Sequence, residues 1–317
     1  MDSVSRLLHM AGLVASLDGH FLLGEATRLD VPRFRETQVP FHVLLEGECT
    51  LEVGTSLLDL HPGDVVLIPS GIPHRLTTRG NVRPRGTVET PGDVFVTTRS
   101  QGGGTTVIDM FCGHYSFRTG AGRLLLRSLP ELVHVRFGQS DHSDEVLRML
   151  GDLMRSEARR EGEGTAVILS ALSTVLLAMV LRTVQGKSVK STLWAAAAGG
   201  RVSRAVEEML NDPGQNWTID RLSRVAAMSR SAFLRHFTQE TGMTVGGFLT
   251  RARLMAAADL LGTTDATVAT IARGVGYQSE SAFSRAFRTE TGTSPARFRR
   301  DQASGRTEGK SRGEQVR

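Results

Sequence analysis

Two parts of this chain hold side chains able to do chemistry. The first is a segment written twice. "SRSAFLRHFTQETG" starts at Ser229, "SESAFSRAFRTETG" starts at Ser279, and nine of the fourteen positions are identical. Each copy carries an arginine, Arg235 or Arg285, whose planar fork can donate two hydrogen bonds to guanine O6 and N7. The second part is dispersed along the chain: His42, His74, Cys112 and His114. Imidazole and thiolate are ligands for a divalent metal such as zinc or nickel, and a thiol can also be oxidised.

Something must position these groups. Each copy of the repeat follows a short helical lead and a tight turn, "LSRVAAMS" from Leu222 and "IARGVGYQS" from Ile271, the second turn being one residue longer. Within each copy, Phe233 and Phe237, or Phe283 and Phe287, lie four apart and form a buried stripe. Ser231, Leu234 and Arg235, or Ser281, Ser284 and Arg285, fall on the other side. Ser229 and Ser279 are N-cap candidates, and Gly242 and Gly292 end each helix. A helix with one buried face and one small, basic face suits the DNA major groove. Two such units, joined by a helix read over Phe248–Leu261 with Phe248, Leu249, Ala252, Ala256 and Leu260 inward, would enter successive grooves about 34 Å apart.

Charge agrees with a nucleic-acid partner. The chain of 317 residues has a net charge of +5. Residues 199–300 hold 14 arginines, no lysine and 9 acidic residues, which gives +5 for that third alone. The two cysteines, Cys49 and Cys112, are too few for a disulfide framework. The opening "MDSVSRLLHMAG" lacks a basic and then apolar leader, so the expected location is cytoplasmic. "AVILSALSTVLLAMVL", from Ala166 to Leu181, is 16 residues long and contains Ser170, Ser173 and Thr174. A membrane span needs about 20 residues, so this stretch reads as a buried core or dimer helix, with no membrane partner.

Upstream, "FHVLLEG", "CTLEVG", "DVVLIPSG" and "TTVIDMF" are short β-rich runs. The Arg-, Gly- and Thr-rich stretch from Thr77 to Gly104 reads as a long mobile loop. "SDEVLRMLGDLMRSEARR" reads as a helix with Val146, Leu147, Leu150, Leu153 and Met154 on one inward face. It would pair with the apolar helix as a hairpin. Four regions follow: residues 1–185 as sensor and dimerisation domain, 186–200 as linker, 201–300 as DNA-binding domain, and 301–317 as a disordered tail.

Residues 201–300 resemble the AraC/XylS-type transcriptional regulators. The resemblance rests on Ile271-Ala272, Gly276-Tyr277, Ser281-Ala282-Phe283, Arg285, Phe287, Gly292, Ser294-Pro295 and Phe298-Arg299. Val245 departs from it, standing where many members have proline. The resemblance implies that Arg230, Ser231, Leu234, Arg235, Glu280, Ser281, Ser284 and Arg285 touch operator DNA, with RNA polymerase as a further partner. "GDVVLIPSGIPH" matches a cupin motif at Gly63, Pro69, Gly71 and His74, while "PFHVLLEGE" keeps His42 without the usual HxH pair. The N-terminal half resembles the cupin sensors fused to AraC-type modules, and "MDSVSRLL" resembles the opening of a subgroup responsive to reactive chlorine species.

The expected fold is α+β with two domains: an N-terminal cupin β-barrel with a helical hairpin, and a C-terminal all-α tandem helix-turn-helix domain. The expected function is a sequence-specific, homodimeric regulator, and not an enzyme, whose cupin senses a small molecule, metal or oxidant. Three readings of His42, His74, Cys112 and His114 stand open: a metal site, an organic ligand site, or plain strand and turn residues. A cupin metalloenzyme with an accessory DNA-binding domain is the alternative. Against it, no Ser-His-Asp pattern, phosphate loop or HExxH helix is legible.

Overall fold

The computed structural model describes residues 3–35, 37–117, 129–136, 143–160, 162–184 and 200–302. In chain order the elements are α1 (Ser3–Ala11), β1 (Val14–Leu23), β2 (Arg28–Val31), β3 (Gln38–Glu46), β4 (Cys49–Val53), β5 (Ser56–Leu60), β6 (Asp64–Leu67), β7 (His74–Thr78), β8 (Thr87–Pro91), β9 (Val96–Ser100), β10 (Ile108–Ser116), β11 (Val133–Arg136), α2 (Ser143–Arg160), α3 (Thr165–Val184), α4 (Ser203–Asn211), α5 (Ile219–Val225), α6 (Arg230–Thr241), α7 (Val245–Thr263), α8 (Val268–Gly274) and α9 (Glu280–Thr291). Residues 295–302 are also helical. The described residues divide into two compact units, one built on Val14–Ser116 and Pro130–Lys187, the other on Met1–Leu13 and the C-terminal helices. The expected linker and most of the expected tail lie outside the described residues.

The first unit is two packed sheets. Seven strands run β11-β6-β3-β10-β1-β9-β8, and four run β2-β7-β4-β5. Alternation along the strands sends one set of side chains inward. Leu23, Leu44, Val66, Ile108 and Met110 from the large sheet meet Leu29, Leu51, Val53, Leu60 and Leu76 from the small one. On its other face the large sheet carries α3. Phe41 stacks on Tyr115 at 4.7 Å, and the Tyr115 hydroxyl donates to the Ser173 carbonyl at 2.7 Å. Ser170 donates to the Ala15 carbonyl, also at 2.7 Å. By length and composition α3 is apolar enough to cross a membrane, yet Leu169, Leu176, Leu177 and Val180 are buried on this sheet.

Two expectations change here. The stretch from Thr77 to Gly104 is not one long loop. It contains the β8–β9 hairpin, and β9 pairs in parallel with β1, from Gly19↔Val96 to Leu22↔Arg99. Its alternating Thr and Val residues are strand formers that the surrounding Gly and Arg hide. In α2 the inward residues are Leu147, Leu150, Met154 and Ala158, whereas Val146 and Leu153 are 48% and 50% exposed. With Met149 they form a second, outward stripe.

The second unit is helical. Thr218, Ser229, Thr244, Thr267 and Ser279 each accept a backbone N–H at a helix start. Each such cap contributes about 1 kcal/mol. The connecting helix α7 runs longer than expected, over 19 residues, or about 28 Å. Val245 sits buried in its first turn behind the Thr244 cap, so the missing proline leaves the helix start intact. Its buried set is Val245, Phe248, Ala252, Leu254, Met255, Ala257, Ala258 and Leu261. Leu249, Ala256 and Leu260 are only partly covered. A helix serving neighbours on several sides buries more than one stripe, which a single-face pattern misses. One of those neighbours is α1. Leu7 and Ala11 are fully buried and Met10 nearly so, with α1 packed on α4 and α7. The Arg6 guanidinium donates to Leu210 O at 2.9 Å and Asn211 O at 2.7 Å, supplying the positive charge that the last turn of α4 lacks.

Candidate functional site

The repeat is repeated in three dimensions. Phe233, Phe237, Phe283 and Phe287 are all fully buried, and within each pair the rings lie 5.6 and 5.5 Å apart. Ser229 accepts from Ala232 N, and Ser279 from Ala282 N. Gly242 and Gly292 close their helices with φ of 65° and 77°. Sequence reasoning missed one matched pair. The Thr241 hydroxyl donates to Phe237 O and accepts from Met243 N, and Thr291 does the same with Phe287 O and Thr293 N. The signal was present in the repeated "ETG", but a threonine at a helix end looks solvated. The turns differ as expected. Ala227 takes φ 52° in the first and Gly276 φ 87° in the second. A side chain at Gly276 would also meet Arg253 and the Gly214 carbonyl.

These constraints leave one face of α6 and one face of α9 free. Arg230, Ser231, Leu234 and Arg235 are exposed on α6. Glu280, Ser281 and Arg285 are exposed on α9, and Ser284 is half-buried. Arg230 contacts Asp220 at 3.4 Å, both largely exposed. Arg221 lies 4.1 Å over the Trp217 ring. All eight positions expected to touch DNA thus lie on the two helices, away from the phenylalanine stripes.

In the β unit, the structure joins three of the four dispersed residues. His42 on β3 and Cys112 on β10 are cross-strand partners. His42 Nδ1 lies 2.8 Å from Cys112 Sγ, and His42 Nε2 lies 2.7 Å from His74 Nε2 on β7 of the other sheet. His74 Nδ1 lies 3.0 Å from Ile72 O. The carbonyl can only accept, and with both imidazoles neutral this sets the order of the protons along the row. His74 donates through Nδ1, so its Nε2 accepts from His42 Nε2–H, and His42 Nδ1 accepts from the Cys112 thiol. Burial drives both imidazoles below their ordinary value, with His74 adding to the effect at His42 and the Ile72 carbonyl opposing it at His74. Burial also drives the Cys112 thiol upward, helped by nearby Cys49 and Asp18. The whole row is therefore neutral, as a desolvated cluster should be.

A closed zinc site needs donors about 2.0–2.3 Å from a common point. Here the donors run in a line with His42 in the middle. Among the described residues no three His, Cys, Asp or Glu side chains are arranged to hold a metal ion. His114 shares a face of β10 with Cys112 but is held elsewhere, 2.6 Å from Asp18 and 2.8 Å from the Gln38 amide. Gly113 between them has no room for a side chain, because Ser16 O and the Phe41 ring close over it. Cys49 lies in the same apolar core as Cys112. Burial and the Asp64 and Asp59 charges push its thiol up to about 12.

Comparison with known proteins agrees with both halves. A cupin family matches residues 2–185 and a helix-turn-helix domain family matches residues 222–301. An uncharacterized HTH-type transcriptional regulator of Haemophilus influenzae is 33% identical over 261 residues, covering 82% of this chain and 85% of the relative. The RCS-specific HTH-type transcriptional activator RclR of Escherichia coli is 28% identical over 303 residues, covering 94% and 97%. The solved DNA-binding domain of AdpA, in complex with a target DNA, is 29% identical, covers 34% of this chain and 98% of its own, and gives a TM-score of 0.33. The chain belongs to the AraC-type helix-turn-helix transcriptional regulators that carry an N-terminal cupin domain.

Proposed function

We propose that this DNA-binding regulator acts in the cytoplasm as a homodimer without enzymatic turnover. In this reading the exposed faces of α6 and α9 lie in successive major grooves of one operator, and its output is contact with RNA polymerase. The observation that carries it is the matched pair of capped, phenylalanine-anchored helices, each presenting an arginine at the same place, Arg235 and Arg285. Support for the dimer comes from the outward apolar residues of the hairpin, Val146, Met149 and Leu153 on α2 with Val167 and Val175 on α3, exposed by 48–73%. Monomeric proteins rarely leave such stripes uncovered.

The effector site in this reading is the Cys112–His42–His74 row. The Cys112 thiol lies against the His42 imidazole, and a relative named as RCS-specific favours an oxidant as signal. The test is selection of bound fragments from random DNA by the purified protein at roughly physiological salt, with and without hypochlorous acid. The expected result is a motif of two elements about 10.5 base pairs apart, whose occupancy changes with oxidant in the wild type and not in Cys112→Ser. Absence of any motif would overturn the operator reading. An oxidant response that survives Cys112→Ser would overturn the effector reading alone.

A further inference from the structure

The two recognition helices are copies, so their differences carry information. Ser231 matches Ser281 and Arg235 matches Arg285, but Arg230 aligns with Glu280 and Leu234 with Ser284. Leu234 is 37% exposed and is the only large apolar side chain exposed among the described residues of the helical unit. It lies beside Ser231 and Arg235 at the edge of the exposed face, one turn from the buried Phe237. Roughly a third of this leucine therefore stays open to water on a helix face that is otherwise polar and basic. The floor of a major groove offers one apolar group at this depth, the 5-methyl of thymine.

We propose that Leu234 packs on a thymine methyl in the element bound by α6, and that Ser284 leaves the corresponding position of the α9 element indifferent to that methyl. The paired arginines then read a feature common to both elements, while the Leu234/Ser284 difference, beside that of Arg230 and Glu280, distinguishes the two elements. A single chain thus favours one orientation on its site. The inference rests on the operator reading above and adds the base class that one residue recognises.

The experiment uses the full-length protein and the duplex recovered by selection from random DNA. Each thymine is replaced in turn by uracil, which removes the methyl and keeps every hydrogen-bonding group. Loss of one methyl contact should weaken binding by about 4-fold at one position of the α6 element. In Leu234→Ala that sensitivity should vanish, while the response to guanine substitution remains. Ser284→Leu should create a matching uracil sensitivity in the α9 element, a gain that misfolding cannot mimic. If the protein binds its motif but tolerates uracil throughout, or if Leu234→Ala keeps the same sensitivity, the inference fails and the operator reading stands. If no motif exists, both fail.

Discussion

The helical unit should depend on a helix nearly two hundred residues away. Leu7 on α1 is fully buried, and Arg6 makes two hydrogen bonds to the end of α4. A buried leucine cut to alanine costs about 2–5 kcal/mol, with the lower part of the range where the site can relax. α1 has nine residues and cannot hold helical form without packing, so relaxation is easy and about 2–3 kcal/mol is expected for Leu7→Ala. Arg6→Ala loses charged hydrogen bonds, one of them at an exposed acceptor, and should cost about 1 kcal/mol. Trp217 reports on this region because its indole donates to Asp212 O at 2.8 Å, one residue beyond the Arg6 acceptors. Urea unfolding would be followed by Trp217 fluorescence with Trp194 replaced by Phe. At a slope of about 2–3 kcal/mol/M, Leu7→Ala should lower the midpoint by roughly 1 M. If the Trp217 midpoint moves by less than about 0.1 M in both variants, α1 is not a structural part of the unit.

Three other outcomes are expected. Arg235→Ala should weaken operator binding by about 1–3 kcal/mol if it reads a guanine; an equal loss on random DNA, measured by titration at two salt concentrations, would make it a phosphate contact instead. His42 and His74 have lowered values in the folded protein, so between those values and about 6.5 the unfolded chain binds more protons, and stability must fall as pH drops through that window. Urea midpoints from pH 7.5 to 5 should show that fall, and a conservative His42→Gln variant should show a shallower one; parallel curves would refute the neutral row. Cys49 and Cys112 are both buried and free, so a bulky thiol reagent, unlike a small oxidant, should label neither at pH 8 until the barrel unfolds, and mass spectrometry showing prompt double labelling would contradict their burial.

What could be seen in the sequence was local or repeated. Ser229 and Ser279, Gly242 and Gly292, and the phenylalanine pairs announce themselves because caps and i,i+4 stripes depend on neighbours a few residues away. The strands around His42 and Cys112 were visible for the same reason, through alternation. That His42, His74 and Cys112 converge in one pocket was an expectation of the cupin resemblance, but their order as a row with His42 in the middle was not legible, since strand register decides which side chains face each other. The β8–β9 hairpin was obscured by the glycines and arginines around it. The outward stripe of α2 was missed because Val146 and Leu153 are apolar, and apolarity alone does not say which of two stripes faces inward. The place of α1 was beyond reach, because nothing in "SRLLHMA" points to a partner at Leu210.

That placement also bears on how the chain is made. Arg6 and its acceptor Leu210 O are 204 residues apart. At a synthesis rate of about 5–20 residues per second, α1 leaves the ribosome some 10–40 seconds before α4 exists. During that interval the barrel can form, but Leu7, Met10 and Ala11 have nothing to cover them. The helical unit is closed by its earliest segment only after its latest ones are finished, so translation speed sets how long an apolar face stays open to chaperones or to other nascent chains.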